Sequence, residues 1–205
     1  MNKQIALENL LIIRDLFAER GIPMFLTFGT LLGAFREKDF IAHDDDVDLG
    51  VFARDRDVIL ALMPELENRG FRILSTRGNR VYKLKRRAIQ VDIFFVATKW
   101  TLRGRRWDLE GKATIAARYL DRLEEIEFLG HRFPVPHDPL GVVRSLYGRT
   151  WNVPIPDSTS RQDWSRRIKM VFRNPGKVFF YARRFFAGRR RARTLRREST
   201  RKAPD

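Results

Sequence analysis

Between residues 46 and 51, carboxylates alternate with aliphatic side chains, and this pattern constrains the fold more than any other part of the 205-residue sequence. The period of two predicts a β-strand whose aliphatic side chains face a core. Asp46 and Asp48 then share the other face, with Cβ atoms roughly 6–7 Å apart. Such a pair repels itself unless a cation lies between the carboxylates. Because the chain has no Cys, all-oxygen ligands favour Mg²⁺ or Mn²⁺.

A third carboxylate, Asp92, lies in an otherwise apolar segment, 89–96, that predicts another strand. A lone Asp in such a strand must be paired, coordinated or at an open end. If this strand lies beside the first, three carboxylates converge near a turn predicted at Gly29-Thr30. A metal held by these acids can bridge phosphate oxygens, and one carboxylate can take the proton of an attacking hydroxyl. A solvated acidic loop is the alternative interpretation, and the natural one for residues 44–45 alone.

The hydrophobic periodicity elsewhere predicts alternating helices and strands, hence an α/β (α+β) fold built around a mixed sheet. Predicted helices cover 3–20, 31–35, 58–66 and 138–147. Predicted strands cover 24–28, 46–51, 71–74, 81–85 and 89–96, with hairpins at 100–106 and 127–135. Asp138 followed by Pro139 is typical of a helix start, because a side-chain cap precedes a proline at the first helical position.

The charge divides the chain into two parts. Residues 161–205 carry sixteen Lys/Arg and three acids, whereas the first 160 residues carry 25 Lys/Arg and 22 acids. We therefore expect a catalytic domain over 1–156 and a basic, aromatic-rich helical tail over 157–205. Between 164 and 186 aromatic rings alternate with cations, a composition typical of a segment lying on an anionic membrane surface. Nucleic acid is a less favoured partner, since no base-reading module is present, and a disordered solubilising tail would not need the aromatics.

The absence of cysteine and of a signal-peptide layout predicts a cytoplasmic protein, peripheral at the inner face of the membrane. No apolar run reaches the ~18 residues of a membrane span.

Two segments resemble the LicD/fukutin family of the nucleotidyltransferase-fold superfamily. Residues 28–36 read Phe-Gly-Thr-Leu-Leu-Gly-Ala-Phe-Arg, and residues 40–48 read Phe-Ile-Ala-His-Asp-Asp-Asp-Val-Asp. Residues 91–94 resemble the family's later aspartate strand, and Leu-Tyr-Gly at 146–148, with the Trp and Pro that follow, resembles its C-terminal element. The resemblance covers about residues 5–156.

The resemblance implies a nucleotidyltransferase-like mixed sheet flanked by helices. It also implies a phosphotransferase that moves phosphocholine, ribitol phosphate or a similar phospho-alcohol from a CDP-activated donor to a sugar hydroxyl. The acceptor would be a cell-surface glycan or glycolipid precursor, as in lipopolysaccharide or capsule biosynthesis. Gly29 and Thr30 correspond to the superfamily's glycine–serine turn, Asp46 and Asp48 to its metal ligands, and Asp92 to its third acid, as ligand or general base. The alternatives are a nucleotidyltransferase that transfers NMP and a non-catalytic basic adaptor for anionic lipid or RNA.

Three cations are further candidates for binding substrate. Arg36 is predicted either to form a salt bridge with the acidic loop (44–45) or to clamp a phosphate. Lys83 and Lys85 share one face of the strand that precedes Asp92, so they could reach donor phosphates; a solvated strand face is the alternative.

The histidines and the tyrosine of the C-terminal element are interpreted as structural residues. His43 lies where the family often has a large residue; it is interpreted as loop structure and not as a ligand, and a substrate contact is the alternative. His131 and His137 lie six apart, which matches no usual zinc spacing. Tyr147 is expected to be a packing residue.

Overall fold

A computed structural model describes residues 1–75, 81–102, 104–109 and 113–153. The predicted tail, 157–205, and its boundary with the catalytic domain lie outside the described residues, so both stay predictions. Among the described residues, no helix combines the length and the apolar character that crossing a membrane requires.

Five α-helices and nine strands make up this part of the chain. The helices are α1 Lys3–Glu19, α2 Phe28–Arg36, α3 Arg56–Ala61, α4 Met63–Asn68 and α5 Pro139–Tyr147. The strands are β1 Met24–Leu26, β2 Asp46–Phe52, β3 Arg72–Ser75, β4 Val81–Arg86, β5 Ile89–Thr101, β6 Gly104–Leu109, β7 Ala113–Ala116, β8 Leu123–Phe128 and β9 His131–Pro136. Two 3₁₀ helices, Ala53–Asp55 and Ala117–Tyr119, connect neighbouring elements.

One mixed sheet forms the centre of the molecule, with strand order β1-β2-β5-β4-β3. The outer part of β5 also pairs with β6, and β6 pairs with β7. Only β2 and β5 run parallel; the other described pairs are antiparallel. Strands β8 and β9 form a separate hairpin. The predicted α/β architecture around a mixed sheet is confirmed.

The alternation in β2 divides its side chains as predicted. Val47, Leu49 and Val51 are fully buried, and helix α1 packs against β2 and β5 through a buried apolar stripe that includes Leu10 and Ile13. Removing this much apolar surface from water is the main stabilising contribution to such a fold. The buried stripe therefore holds β2 and β5 side by side. The register between these two strands then sets the positions of their acidic residues.

The structure differs from the sequence-based predictions at two helices. Helix α2 begins at Phe28, so Gly29 and Thr30 lie in its first turn instead of forming a break between a strand and a helix. The helix predicted over 58–66 is two short helices, α3 and α4. Pro64 lies in the first turn of α4, and since proline has no N–H and clashes with the preceding turn, it cannot continue α3.

Two strand predictions were incomplete. Strand β5 continues five residues beyond Val96, and β7 was missed. Residues 97–101 are all exposed and lack a period-two pattern of burial. Their pairing with β6, not their own hydrophobicity, makes them a strand.

The later elements follow their local signals. The hairpin β8–β9 turns at Leu129 and Gly130, both of which have positive φ, as a tight hairpin turn requires. Asp138 caps α5 by accepting a hydrogen bond from the Gly141 amide at 2.8 Å, and the helix ends before Gly148.

Candidate active site

Two neighbouring parallel strands bring three carboxylates together. In the β2–β5 register Asp48 lies opposite Asp92, and Asp46 lies opposite Gln90. Asp46, Asp48 and Asp92 each offer a carboxylate oxygen within 4.8 Å of the other two. The convergence that the sequence predicted is therefore present. It depends on the parallel pairing, because in that register one face of both strands carries acids at the same level.

The first turn of α2 holds the Asp48 carboxylate. The Gly29 amide donates to Asp48 Oδ2 at 2.8 Å, and the Asp48 amide donates to Thr30 Oγ at 2.8 Å. A Cβ at Gly29 would overlap Asp44 Oδ2 and lie 3.1 Å from Asp48 Oδ2. Glycine is thus required by close approach of the acids to the helix backbone, and the partially positive helix N-terminus favours those charges.

Asp92 is almost fully buried, and both of its carboxylate oxygens have a donor. Lys83 lies opposite it in the β4–β5 register and forms an ion pair with Oδ2. The Gln90 side-chain amide donates to Oδ1 at 2.8 Å. These two donors offset the cost of burying the carboxylate. Lys83 therefore lies at the candidate site, as proposed from the sequence. Gln90 was not among the candidate residues identified from the sequence.

Burial, together with the nearness of like charges, raises the pKa of several acids here. Burial raises the pKa of Asp48 well above its ordinary value, and the nearby charge of Asp46 adds to the rise. Burial and the charge of Asp92 raise the pKa of Asp46. Burial, together with the charge of Asp46, raises the pKa of Asp44 to about 7. Charged carboxylates at this spacing need compensation, and the all-oxygen donor set fits a hard divalent cation.

Asp44 and Asp45 are not simply a solvated loop. Their carboxylate oxygens and that of Asp46 also lie within 4.8 Å of one another, and Asp44 lies against Gly29. Asp46 is therefore shared by both groups of acids. The run of three aspartates before Val47 was the signal in the sequence, but an acidic run alone does not distinguish a loop in solvent from one folded against a helix.

Within the described residues, two of the cations proposed to bind substrate, Arg36 and Lys85, form no ion pair with the carboxylate trio. The Arg36 guanidinium forms a 2.7 Å ion pair with Glu37 and donates to the Trp151 carbonyl at 3.5 Å. Its ion-pair partner is thus Glu37, and not the acidic loop as the first alternative had it. Lys85 lies opposite Gln90, on the same face as Lys83 but nearer the edge of the site, and it forms no ion pair within the described residues.

Tyr147 lies closer to the acids than its predicted packing role implied. Burial raises the pKa of its phenol well above the usual value, and the charges of Asp48 and Asp44 add to the rise. Its place at the end of α5, beside α2, brings it there. The Tyr-Gly pair of the C-terminal element was the available signal.

None of the three histidines belongs to either group of acids. His43 is exposed, His131 begins β9 at the hairpin turn, and His137 pairs with Glu124.

Comparison with known proteins identifies the family. The model described as LicD/FKTN/FKRP, nucleotidyltransferase domain, matches residues 21–138. The chain belongs to this family. The matched region runs from before β1 to the start of α5, so it includes every acid of the trio. The resemblance drawn from residues 28–48 is confirmed.

The curated relatives of this LicD-family chain include fukutins. It is 26% identical to the ribitol-5-phosphate transferase FKTN of Homo sapiens over 158 residues, which cover 71% of this chain and 32% of that protein. The Macaca fascicularis FKTN is 27% identical over the same coverage. An uncharacterized Caenorhabditis elegans protein is 29% identical over 82% of this chain and 48% of its own length. The chain spans about a third of the length of the fukutins.

Comparison with solved structures bears on the fold. The antibiotic-resistance factor ANT(2'')-Ia aligns with a TM-score of 0.50 at 16% identity, covering 97% of this chain and 99% of that one. The lincosamide adenylyltransferase LnuA aligns with a TM-score of 0.48 at 15% identity, covering 78% and 94%. The likeness to ANT(2'')-Ia indicates a nucleotidyltransferase-like fold for the LicD-family chain.

Proposed function

We propose that this LicD-family chain is a metal-dependent phosphotransferase. It moves a phospho-alcohol, such as phosphocholine or ribitol phosphate, from a CDP-activated donor to a sugar hydroxyl of a cell-surface glycan or glycolipid precursor. Family membership supports a transferase in glycan modification. The observation that carries the finer proposal is the convergence of Asp46, Asp48 and Asp92 beside the first turn of α2.

The trio is the proposed place for Mg²⁺ or Mn²⁺. Asp46, Asp48 and Asp92 would hold the ion; when bound, it supplies positive charge to the phosphate oxygens of the donor. The proposal is consistent with the raised pKa values of Asp46 and Asp48, which follow from burial and from the neighbouring carboxylates.

The chain's own residues supply orientation and charge. The Gly29 amide and the Thr30 hydroxyl keep Asp48 and its strand in register with α2. The Lys83 side chain is 41% exposed, so its ammonium can turn from Asp92 toward a donor phosphate, and Lys85 lies next to it on the same face. Arg36 remains a candidate phosphate contact because its guanidinium is planar and bidentate.

The reaction is an in-line displacement at phosphorus. The acceptor oxygen forms a new P–O bond, the P–O bond to CMP breaks, and CMP leaves with both electrons of that bond. The proton of the acceptor hydroxyl passes to a carboxylate of the site, and Asp92 is the candidate if it is not used as a ligand. The Gln90 side-chain amide holds that carboxylate in a defined orientation.

Membrane association through residues 157–205 is part of the proposal, with the enzyme peripheral at the cytoplasmic face. Only the sequence supports it: the sixteen Lys/Arg of 161–205 can each contribute about 1 kcal/mol near an anionic surface. Deleting 161–205 is expected to release the protein into the soluble fraction in cell fractionation. Unchanged membrane association would remove this part of the proposal.

A donor screen tests the chemistry. Purified protein with Mg²⁺ or Mn²⁺ is incubated with CDP-choline, CDP-ribitol, CDP-glycerol and UDP- or GDP-sugars, with and without a membrane glycolipid extract. We expect metal-dependent CMP release from one CDP-alcohol, lost in Asp46→Asn and kept in the control Asp15→Asn, an exposed acid on α1. Nucleotide attached to the acceptor would indicate NMP transfer instead. Full activity in Asp46→Asn would refute the metal site.

A further inference from the structure

A two-stranded arm projects from the sheet where β5 extends beyond its neighbours. Strand β5 pairs with β4 up to Phe94 and with β2 up to Val96, whereas residues 97–101 pair only with β6. All five of those residues are exposed. Strand β6 also pairs with β7 from Arg106 onward. The two-stranded end of the β5–β6 arm is therefore its tip, where Trp100 and Thr101 pair with Arg105 and Gly104.

The tip of the β5–β6 arm carries two large apolar side chains. Trp100 is 81% exposed and Leu102 is fully exposed. Every other exposed large apolar side chain in the described ranges is at most 51% exposed. By contrast, Trp107 at the base of the arm donates to the Ala117 carbonyl at 3.1 Å and packs 5.2 Å from the Phe52 ring. Of the two tryptophans in the arm, only Trp100 at the tip is highly exposed.

The same segment is cationic. Residues 97–107 contain four Lys/Arg and no Asp or Glu. Lys99 pairs with Asp108 at 3.1 Å, and Arg105 pairs with Asp121 at 2.8 Å. Both pairs are partly exposed, so they are worth little, and both cations can reach a second anion on the outer side. Apolar side chains flanked by cations complement a surface with anionic headgroups above acyl chains.

We propose that the tip of the β5–β6 arm inserts into an anionic lipid surface, with Trp100 and Leu102 at the boundary of headgroups and acyl chains. Tryptophan is enriched at that boundary because its ring is apolar and its N–H is polar. A stable protein interface needs about 800 Å² per partner, which a narrow hairpin tip cannot bury. A lipid surface needs only a few inserted side chains and nearby cations.

The tip lies too far from the carboxylates to hold the sugar that reacts. Trp100 is eight residues from Asp92 along β5, on the order of 26 Å at the rise of a strand. Insertion of the tip would therefore orient the enzyme without blocking its site. This proposal does not depend on the reaction: the arm can bind lipid whether or not the trio transfers phosphate, and its tests use no substrate.

A fluorophore at the tip gives the direct test. Since the chain has no cysteine, Leu102→Cys in the full chain provides a single attachment point for nitrobenzoxadiazole. Leu60→Cys, on α3 and 47% exposed, is the matched control. With phosphatidylcholine–phosphatidylglycerol vesicles we expect a blue shift and brighter emission at position 102 only. No shift at 102, or equal shifts at both positions, would overturn the proposal. A concentration-dependent shift at 102 without vesicles would also overturn it, in favour of self-association.

Vesicle co-sedimentation measures how much the tip contributes to partitioning onto the membrane. Trp100→Ser with Leu102→Ser is expected to weaken partitioning of the full chain onto the same vesicles by at least about tenfold, because two apolar side chains no longer leave water. Val58→Ser with Leu60→Ser should leave partitioning unchanged. Since Trp100 and Leu102 are exposed, the variant keeps its fold, which circular dichroism checks. Partitioning equal to that of the unsubstituted chain would overturn the proposal.

Discussion

Two lysine–aspartate pairs involve the long strand β5, and they lie in opposite surroundings. Lys83 pairs with Asp92 in the inner half of the strand, where the carboxylate is 5% exposed and two more acids lie within 4.8 Å. Lys99 pairs with Asp108 in the outer half, where the lysine side chain is 43% exposed and the carboxylate 23% exposed. The side-chain chemistry is the same, but the inner pair belongs to a crowded negative cluster and the outer one is a surface pair.

The difference shows what the sheet contributes to the site. Between β2 and β4, strand β5 has a hydrogen-bonded neighbour on each side, so its side chains are held at defined positions. Beyond Val96 it has one neighbour, and packing places little demand on sequence. The inner half is therefore suited to chemistry that needs fixed geometry, and the outer half to contact with a surface.

The largest expected effect is on transferase activity, and it should differ between Asp92 and Asp108. Asp92→Asn should lower transferase activity by about a thousandfold, because it removes a carboxylate that the proposed cation needs as a ligand or the acceptor hydroxyl needs as a base. Asp108→Asn should leave activity within about twofold, as expected for a surface pair. Steady-state kinetics on both variants checks this. Comparable losses in the two would break the comparison, as would an active Asp92→Asn.

Replacing a glycine by alanine should lower the free energy of unfolding by different amounts in the two regions. Gly50 of β2 lies beside the inner half, and a Cβ there would overlap the Phe25 ring, so Gly50→Ala should lower the free energy of unfolding by about 2–3 kcal/mol. At Gly104, in the arm, a Cβ meets nothing, but φ is +85°, so Gly104→Ala should cost only about 1 kcal/mol of backbone strain. Urea denaturation measures both. A larger loss at Gly104 would show that the arm supports the core.

The inner acids should make stability depend on pH. The pKa of Asp44 rises from 3.8 to about 7 on folding, so between those values the folded state binds more protons than the unfolded one. The contribution of Asp44 to stability is then fully present below about pH 4 and is lost as the pH rises toward 7. Without divalent ions we expect the melting temperature to fall by about 5 °C across this window.

Two controls sharpen the pH prediction. Asp44→Asn should flatten the slope, whereas Asp108→Asn should leave it unchanged. Mn²⁺ should restore the melting temperature at pH 7 by binding the charged cluster. Differential scanning calorimetry measures each case. A melting temperature that rises steadily to pH 7 without metal, with no difference in Asp44→Asn, would contradict the prediction.

The smallest expected effect concerns the two lysines. Lys83→Gln leaves the Asp92 carboxylate beside other acids without its ion-pair partner, and should lower the free energy of unfolding by about 1 kcal/mol after allowing for the 41% exposure of the lysine side chain. Lys99→Gln should change it by less than about 0.5 kcal/mol. Paired denaturation curves without metal test the difference. Equal effects would mean that the inner pair behaves as a surface pair.

Local signals were sufficient for much of the fold. The alternation at 46–51 predicted β2, the Asp138-Pro139 pair predicted α5, and the hairpin predicted over 127–135 is β8–β9, because each depends on neighbours in sequence. The helix over 58–66 was wrong since Pro64 outweighed the hydrophobic pattern. The outer half of β5 and all of β7 had too little pattern to be found without their partners.

The candidate site, like the fold, was predictable from the sequence only where it depends on neighbouring residues. Asp46 and Asp48 share a face in any strand, so their pairing followed from sequence alone. Gln90, Asp44 and Tyr147 were missed or given other roles, because their nearness to the trio depends on elements far apart in the chain.

By itself, the sequence determined the strand that bears Asp46 and Asp48, the apolar faces that bury the sheet, and the family that the chain belongs to. Periodicity and local sterics act over a few residues, so they can be read from the chain. Only the tertiary structure decided that β5 lies parallel to β2 with Asp92 level with Asp48, and that the first turn of α2 caps that carboxylate. Those contacts join residues 19 to 44 positions apart, and their pairing depends on the packing of the whole core.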